Sequence, residues 1–178
     1  MAWIAWVDEA EVEGPVAETY ERARRAFGFV PDVVKIFSLR PKVAAAQDLL
    51  RQALLGPASS LGARRADMVS AMVAGLNHCR YCSIAHAGML TERGDLARAD
   101  ALTLLTDWRA LDLPEAERAM LAFAEKLTND PEAMTEGDVK RLRDLGFTDE
   151  NVYDIVLLTA YRNYLTRVIA GLGAIPFR

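Results

Sequence analysis

Apolar residues recur every three or four positions through most of this chain, the spacing that places them on one face of a helix. No segment alternates apolar and polar residues with the period of two that a half-buried strand shows, and no β-hairpin signal is present. Pro15 and Gly28 stand where a helix starts and where it stops. The pattern therefore predicts an all-α fold, a helical bundle.

Local signals place the ends of several of these helices. Helices are expected from about 63 to 76, from the cysteines to about Glu92, and over about 149–172, with a break at residues 56–60. Asn77 is suited to ending a helix because asparagine tolerates left-handed backbone angles. Thr135 and Asp138 have the spacing of a capping box. The last helix is apolar nearly all round, so we expect it at the centre of the bundle.

Composition limits the classes of function. The chain has 178 residues, 52% of them hydrophobic, which favours a single globular domain over 1–178 with a real core. A net charge of −4 gives no basic field for phosphates, so nucleic acid is not expected as a partner. No glycine-rich phosphate loop is present, and no haem, flavin or metal cofactor is implied.

Neither end of the chain predicts a membrane partner. The N-terminal segment turns acidic at Asp8 and lacks the basic start of a secretory signal. The apolar stretch from Val152 to Leu172 is interrupted by charged residues, including Asp154 and Arg162. We therefore expect a soluble, cytoplasmic protein. In that compartment two cysteines three positions apart favour reversible redox chemistry or metal binding over a structural disulfide.

Both cysteines and both histidines of the chain lie within ten residues, in the segment 77-NHCRYCSIAH-86. Positions three, four and seven apart share a helix face, so Cys79, Cys82 and His86 are expected on one side. Backbone amides and the dipole at the start of a helix favour a thiolate, and an imidazolium one turn along would stabilise that thiolate further. Such surroundings lower the pKa of a thiol to roughly 3.5–7.5. The pair can then pass from thiolate through sulfenic acid to disulfide.

Two other roles remain open for the C-x-x-C pair. Zinc would take Cys79, Cys82 and His86 as ligands, with His78 or a carboxylate as the fourth. In the second alternative, both cysteines are small buried residues that pack in the core and take part in no chemistry. A thioredoxin-like site needs a strand before the motif, and the preceding ARRADMVSAMVAGLN is predicted to be helical.

Cys79 follows Asp67 by twelve positions and opens the C-x-x-C, and His86 follows Cys82 after three residues; this spacing resembles the alkyl hydroperoxidase D (AhpD)-like family of the carboxymuconolactone decarboxylase superfamily. The likeness covers nearly the whole chain, is greatest over a redox core at about 61–93, and is closest to the peroxidase-related subgroup. It implies an all-α homo-oligomer, a dimer, trimer or hexamer, that reduces hydroperoxides and is recycled by an external dithiol, a lipoyl group or a thioredoxin-like protein. The lactone decarboxylase branch generally lacks the cysteine pair.

The resemblance also implies residue roles. Cys82 would be the attacking thiol, Cys79 the more exposed resolving thiol, His86 the partner that shares the Cys82 proton, and Asp67 the acid that orients His86. Two positions depart from the family pattern. Asp67 replaces a glutamate that is one methylene longer, so contact with His86 through a water is expected. Tyr81 stands where better-characterised members have a histidine.

A redox sensor switched by the Cys79–Cys82 disulfide is the alternative to a catalyst. Peroxide consumed in excess over protein would separate the two. On the last helix, Asn163 and Arg167 are one turn apart, and polar groups on so apolar a helix need partners. We expect them to brace the active-site helices or a subunit contact.

Overall fold

The structure is a computed structural model that describes residues 2–55 and 59–174. Helices account for all of the regular secondary structure in these two ranges, so the all-α fold is confirmed. They are α1 Gly14–Phe27, α2 Asp32–Lys35, α3 Pro41–Leu54, α4 Gly62–Leu76, α5 Arg80–Glu92, α6 Arg98–Asp107, α7 Glu115–Asn129, α8 Glu136–Asp144 and α9 Asp149–Leu172. Short 3-10 turns follow α6 at Trp108–Ala110 and α7 at Pro131–Ala133.

The described residues form two compact units. The larger comprises Leu54–Thr166, and the smaller comprises the described residues on either side of it. Every candidate site residue belongs to the larger unit. The break predicted at 56–60 lies partly outside the described residues, and the single domain over 1–178 stays a prediction.

Helix α4 lies at the centre of the larger unit. Its residues from Ala66 to Ala74 are all buried, and it packs against α5, α6 and α7. Small side chains such as Ala71 and Ala74 let these helices approach closely. The two ends of α4 therefore hold fixed positions relative to its neighbours.

The expectation that α9 would be the central helix is wrong. One face of α9 is buried through Ile155 and Leu158, whereas Tyr153 and Tyr164 are 62% and 43% exposed. The face of α9 that carries Tyr153 and Tyr164 is therefore exposed although its composition is apolar. Among the described helices, α9 included, none combines the length and hydropathy needed to cross a membrane.

Two helix ends lie where the capping signals in the sequence predict them, or within one or two residues of that place. The Thr135 N–H donates to Asp138 Oδ2 over 2.7 Å, which confirms the capping box at the start of α8. Helix α4 ends at Leu76 as predicted, but Asn77 has a φ of −84° and not a left-handed one. The left-handed residue is the next one, His78, with a φ of 52°.

Candidate active site

A tight turn between α4 and α5 positions the first cysteine. Three backbone amides fold back onto the last turn of α4: Asn77 donates to Val73, His78 to Gly75, and Cys79 to Ala74, at 2.9–3.0 Å. The positive φ of His78 turns the chain, and extended backbone at Cys79 then starts α5. Cys79 is thereby the N-cap residue of α5, tied directly to the central helix.

Gly75 lets this turn lie where it does. A Cβ atom at position 75 would overlap the backbone carbonyl of Leu105 on α6. The last turn of α4 therefore touches the backbone of α6, and only glycine permits this approach. The carbonyl of Ala74, which receives the Cys79 amide, belongs to the same turn.

The predicted face of α5 is present. Cys79 caps the helix, Cys82 lies in its first turn, and His86 follows one turn later; all three are buried. The two cysteines are free thiols. Cys79 is 6% and Cys82 3% exposed, so the resolving thiol expected to be the more exposed one is nearly as buried as its partner.

The electrostatics place the negative charge on Cys79. Its pKa is lowered to about 6, first by the S–H of Cys82, which donates to it, and also by the backbone N–H groups of Cys82 and Tyr81; burial opposes the shift. The pKa of Cys82 is raised, because Cys79 accepts its proton in that hydrogen bond and because it is buried. Both shifts favour a thiolate at position 79 over one at position 82, whereas the family resemblance puts the attacking thiol at Cys82.

Asp67 contacts His86 directly. The Nδ1 atom of His86 lies 2.7 Å from Asp67 Oδ1, and both side chains are buried. The expectation of a bridging water is therefore wrong. Adjacent α4 and α5 pack closely enough for the shorter aspartate to span the gap.

His86 is a neutral base and not the imidazolium expected from the sequence. Burial, followed by the positive charge of Arg162, lowers the pKa of His86 to about 4 and outweighs the pairing with Asp67. Burial opposes the ionisation of Asp67, yet hydrogen bonds from His86 and Arg93 hold the pKa of Asp67 below its usual value. The His86 proton therefore lies on Nδ1, facing the carboxylate, and Nε2 is the basic nitrogen.

Two arginines that the sequence analysis did not place in the site complete it. Arg93, directly after α5, puts Nη2 2.7 Å from Asp67 Oδ2. Arg162 on α9 is 3% exposed, and its Nε donates to Ser70 Oγ over 2.9 Å. The charge of Arg162 favours the thiolate of Cys79. Neither arginine falls within the spaced cysteine motif, so sequence spacing carried no signal for them.

Asn163 braces the turn that carries the cysteines. Its Oδ1 accepts from Asn77 Nδ2 at 2.9 Å, and its Nδ2 donates to Thr128 on α7 at 3.0 Å. The bracing role expected for Asn163 is confirmed. Arg167, one turn along, is exposed. Tyr81, in the position of the family histidine, is 4% exposed.

An apolar groove of about 400 Å³ lies between α5 and α6. Ile84 and Gly88 line it from α5, and Leu102 and Leu105 from α6. At the helical spacing of 100° per residue these α5 positions face away from Cys82. The groove is therefore separate from the dithiol.

The part of the chain that the structure describes contains no set of ligands for zinc. There, no three histidine, cysteine or acidic side chains are placed to hold a metal ion. His78 is exposed and points out from the turn in its left-handed conformation. The arrangement instead joins a thiolate, a second thiol and an oriented imidazole on one helix.

Solved structures share this fold over nearly the full chain. A peroxidase-related protein from Ralstonia eutropha JMP134, described as an alkylhydroperoxidase AhpD core, is 26% identical, with a TM-score of 0.90 over 99% of this chain and 92% of that one. A peroxidase-related protein from Silicibacter sp. TM1040 is 25% identical, with a TM-score of 0.84 over 93% and 88%. Both are titled uncharacterized, so their likeness supports a superfamily and not a reaction.

The debrominase Bmp8, solved also in complex with 2,3,4-tribromopyrrole, has the same fold at 17% identity, with a TM-score of 0.78 over 98% of this chain and 91% of that one. No family model and no curated protein matches the chain. The identification depends on shared architecture, which these two peroxidase-related structures have in common with this chain over 99% and 93% of its length. The chain belongs to the AhpD-like superfamily.

Proposed function

We propose that this protein is a thiol-dependent peroxidase that reduces hydroperoxides through Cys79 and Cys82. The observation that carries the proposal is the hydrogen-bonded pair at the start of α5: Cys79 caps the helix, and the S–H of Cys82 and the backbone N–H groups of Cys82 and Tyr81 lower the pKa of Cys79. A thiolate is the form of cysteine that attacks peroxide oxygen, and a neighbouring thiol allows the oxidised sulfur to be resolved.

The first step forms a sulfur–oxygen bond. The Cys79 thiolate attacks the terminal oxygen of the hydroperoxide, the O–O bond breaks, and Cys79 becomes a sulfenic acid while the substrate leaves as an alkoxide. The alkoxide needs a proton, and Cys82 holds one. His86, one turn from Cys82 on the same buried face, accepts that proton at Nε2 and passes it to the alkoxide, which leaves as an alcohol.

The second step closes the disulfide. The Cys82 thiolate left by the first step attacks the sulfenic sulfur of Cys79, the S–S bond forms, and hydroxide departs and is protonated by solvent to water. Two electrons have passed from the two sulfurs to the peroxide. An external dithiol then returns the electrons by thiol–disulfide exchange. We propose a lipoyl group or a thioredoxin-like protein in the cytoplasm for that role, and a homo-oligomer as the working form.

The attacking role of Cys79 and the resolving role of Cys82 are the reverse of those that the family resemblance implies. Trapping the sulfenic acid shows which of the two assignments holds. With Cys82→Ser, we expect peroxide to leave a trappable sulfenic acid on Cys79, because serine keeps a hydroxyl donor but cannot form the disulfide. With Cys79→Ser, we expect the fast reaction to be lost. Sulfenic acid formed at the native rate on Cys82 of the Cys79→Ser variant would restore the family assignment.

The catalytic claim is tested by turnover. The protein is supplied with a small dithiol and either hydrogen peroxide or organic hydroperoxides, and the Cys79→Ser/Cys82→Ser double variant is the control. We expect peroxide consumption in large excess over protein. Because both sulfurs are buried, the redox switch is the competing function, and consumption limited to one equivalent per chain would favour it.

A further inference from the structure

Arg93 lies between two carboxylates at the end of the active-site helix. Its Nη2 is 2.7 Å from Asp67 Oδ2 and 2.7 Å from Asp95 Oδ2, and its Nε also donates to Asp95 over 2.7 Å. Asp67 is buried, while the Arg93 side chain is 37% exposed. The guanidinium therefore reaches from the surface onto the inner carboxylate of the site.

The two oxygens of Asp67 have different partners. Oδ1 receives the Nδ1–H of His86, and Oδ2 receives the guanidinium of Arg93. A carboxylate held on both oxygens cannot rotate without breaking one contact, so the position of Arg93 fixes the direction in which Oδ1 points. A planar guanidinium holds a carboxylate in this way better than a point charge does.

Arg93 is itself held in place by its neighbours. Asp95 binds it through the side chain, and the Asp95 backbone carbonyl accepts a hydrogen bond from Arg64. Arg64 forms a two-pronged ion pair with the buried Glu117 of α7, at 3.2 and 3.1 Å. The clamp on Asp67 therefore rests on α4 and α7, not on a single flexible side chain.

We propose that Arg93 is a positioning residue that, through Asp67, sets the orientation and the Nδ1-protonated form of His86. This inference rests on the proposed function for its catalytic meaning. The charged and titratable groups facing His86 are Asp67 from α4, Arg162 from α9 and Arg93 from the end of its own helix, with Cys82 one turn before it. Removing Arg93 frees Asp67 Oδ2 and takes away one of the two cations that oppose an imidazolium.

The test uses the reduced full chain and the variants Arg93→Gln, Arg93→Lys and Arg143→Gln. Arg143 is the matched control, because it pairs with Asp149 over 2.6 Å on the exposed surface. The imidazole nitrogens are followed by NMR as a function of pH, and the chain's other histidine, His78, serves as an internal reference. No peroxide is present, so this measurement does not depend on the proposed function.

In Arg93→Gln, we expect the pKa of His86 to rise and the Nδ1-protonated form to lose its dominance, while Arg93→Lys restores much of both. Arg143→Gln should leave His86 unchanged. An Arg93→Gln spectrum in which His86 titrates as in the native chain, in a folded protein, would overturn the proposal.

Activity then gives a second readout. We expect the acid limb of the rate of disulfide formation to move to higher pH in Arg93→Gln, with a loss of about tenfold near neutrality, part of the roughly 10²–10⁴-fold that a positioned acid–base group supplies. If the NMR shift occurs and the rate does not change, Arg93 sets His86 as inferred, and the proton-transfer step that the proposed function assigns to His86 is what fails.

Discussion

The Nε of Arg162 donates a 2.9 Å hydrogen bond to Ser70 Oγ, and this contact anchors a buried cation beside the dithiol. Because the charge of Arg162 lowers the pKa of Cys79 and of His86, we expect Arg162→Met to raise both. Arg162→Lys keeps the charge and should raise them less. The thiolate absorbance of the reduced protein, followed as a function of pH, reports Cys79, and urea unfolding confirms that each variant is folded. An unchanged titration in a folded Arg162→Met variant would exclude the electrostatic role.

The hydrogen bond between the two thiols is expected to be the largest influence on the reactive cysteine. Cys82→Ala removes the donor and should raise the pKa of Cys79 from about 6 toward the ordinary value near 8.5. Cys82→Ser retains a donor and should give a smaller rise. The same titration measures both variants, and Cys79→Ser should abolish the low-pH thiolate signal. A low-pH signal that survives in Cys79→Ser would move the thiolate to Cys82.

The sequence predicted this site as far as the helix face and no further. Cys79, Cys82 and His86 lie together because three- and four-residue spacing is a property of the α-helix, which local sequence determines. The location of the thiolate depends on which sulfur caps α5, and that follows from the left-handed turn at His78, one residue beyond the expected asparagine. Capping preferences are statistical, whereas the turn is fixed by three specific amide contacts with α4.

The arginines could not be found from spacing. Arg162 reaches the dithiol from a helix distant in sequence, and only the packing of the end of α5 beside α4 distinguishes Arg93 from a solvated charge. The sequence predicts the wrong position for α9 for a related reason. Hydropathy records how apolar a helix is, but only tertiary packing decides which of two apolar faces is covered, and α4 takes the centre because its small residues allow close contact.

Gly75 is expected to tolerate no side chain. In Gly75→Ala the added Cβ would overlap the carbonyl of Leu105, and backbone cannot move aside as a side chain can. We expect a loss of roughly 1–3 kcal/mol in the free energy of unfolding, as for other overpacked sites. Gly88→Ala on α5 is the control, since its Cβ meets nothing within 4 Å, and it should stabilise by roughly 0.5–1 kcal/mol. Equal effects of the two substitutions on urea unfolding would show that the contact with α6 does not limit position 75.

The turn requires an unfavourable backbone conformation at His78. Its φ of 52° is unfavourable for a residue with a Cβ and ordinary for glycine. We expect His78→Gly to be more stable than His78→Ala by about 1 kcal/mol, since the left-handed conformation costs roughly 1–2 kcal/mol for such a residue. Chemical unfolding measures the difference. Because His78 is exposed and has no part in the proposed chemistry, sulfenic acid formation should be the same in both variants; a tenfold loss in either would assign the imidazole a role.

Because the imidazole of His86 is buried, the free energy of unfolding should depend on pH in the range over which His86 titrates. The pKa of His86 falls from 6.5 to about 4 on folding, so the unfolded chain binds more protons between these values. The stabilising effect of keeping His86 neutral is therefore fully present above pH 6.5 and is lost as the pH falls toward 4, a change of roughly 3 kcal/mol at most. The pKa of Asp67 lies below its usual 3.8, so Asp67 contributes its own loss only at lower pH.

Urea unfolding at a series of pH values between 7 and 4 would measure this effect, with His86→Gln and His78→Gln as a matched pair. We expect the native chain and His78→Gln to lose stability with the same slope, because His78 is exposed and takes no part in the buried pairing of His86 with Asp67. His86→Gln should begin less stable at pH 7, since glutamine cannot reproduce the geometry with Asp67, but should change far less between 6.5 and 4. A slope in His86→Gln equal to that of the native chain would mean that another group takes up the proton, and the assignment of His86 as a buried neutral base would have to be withdrawn.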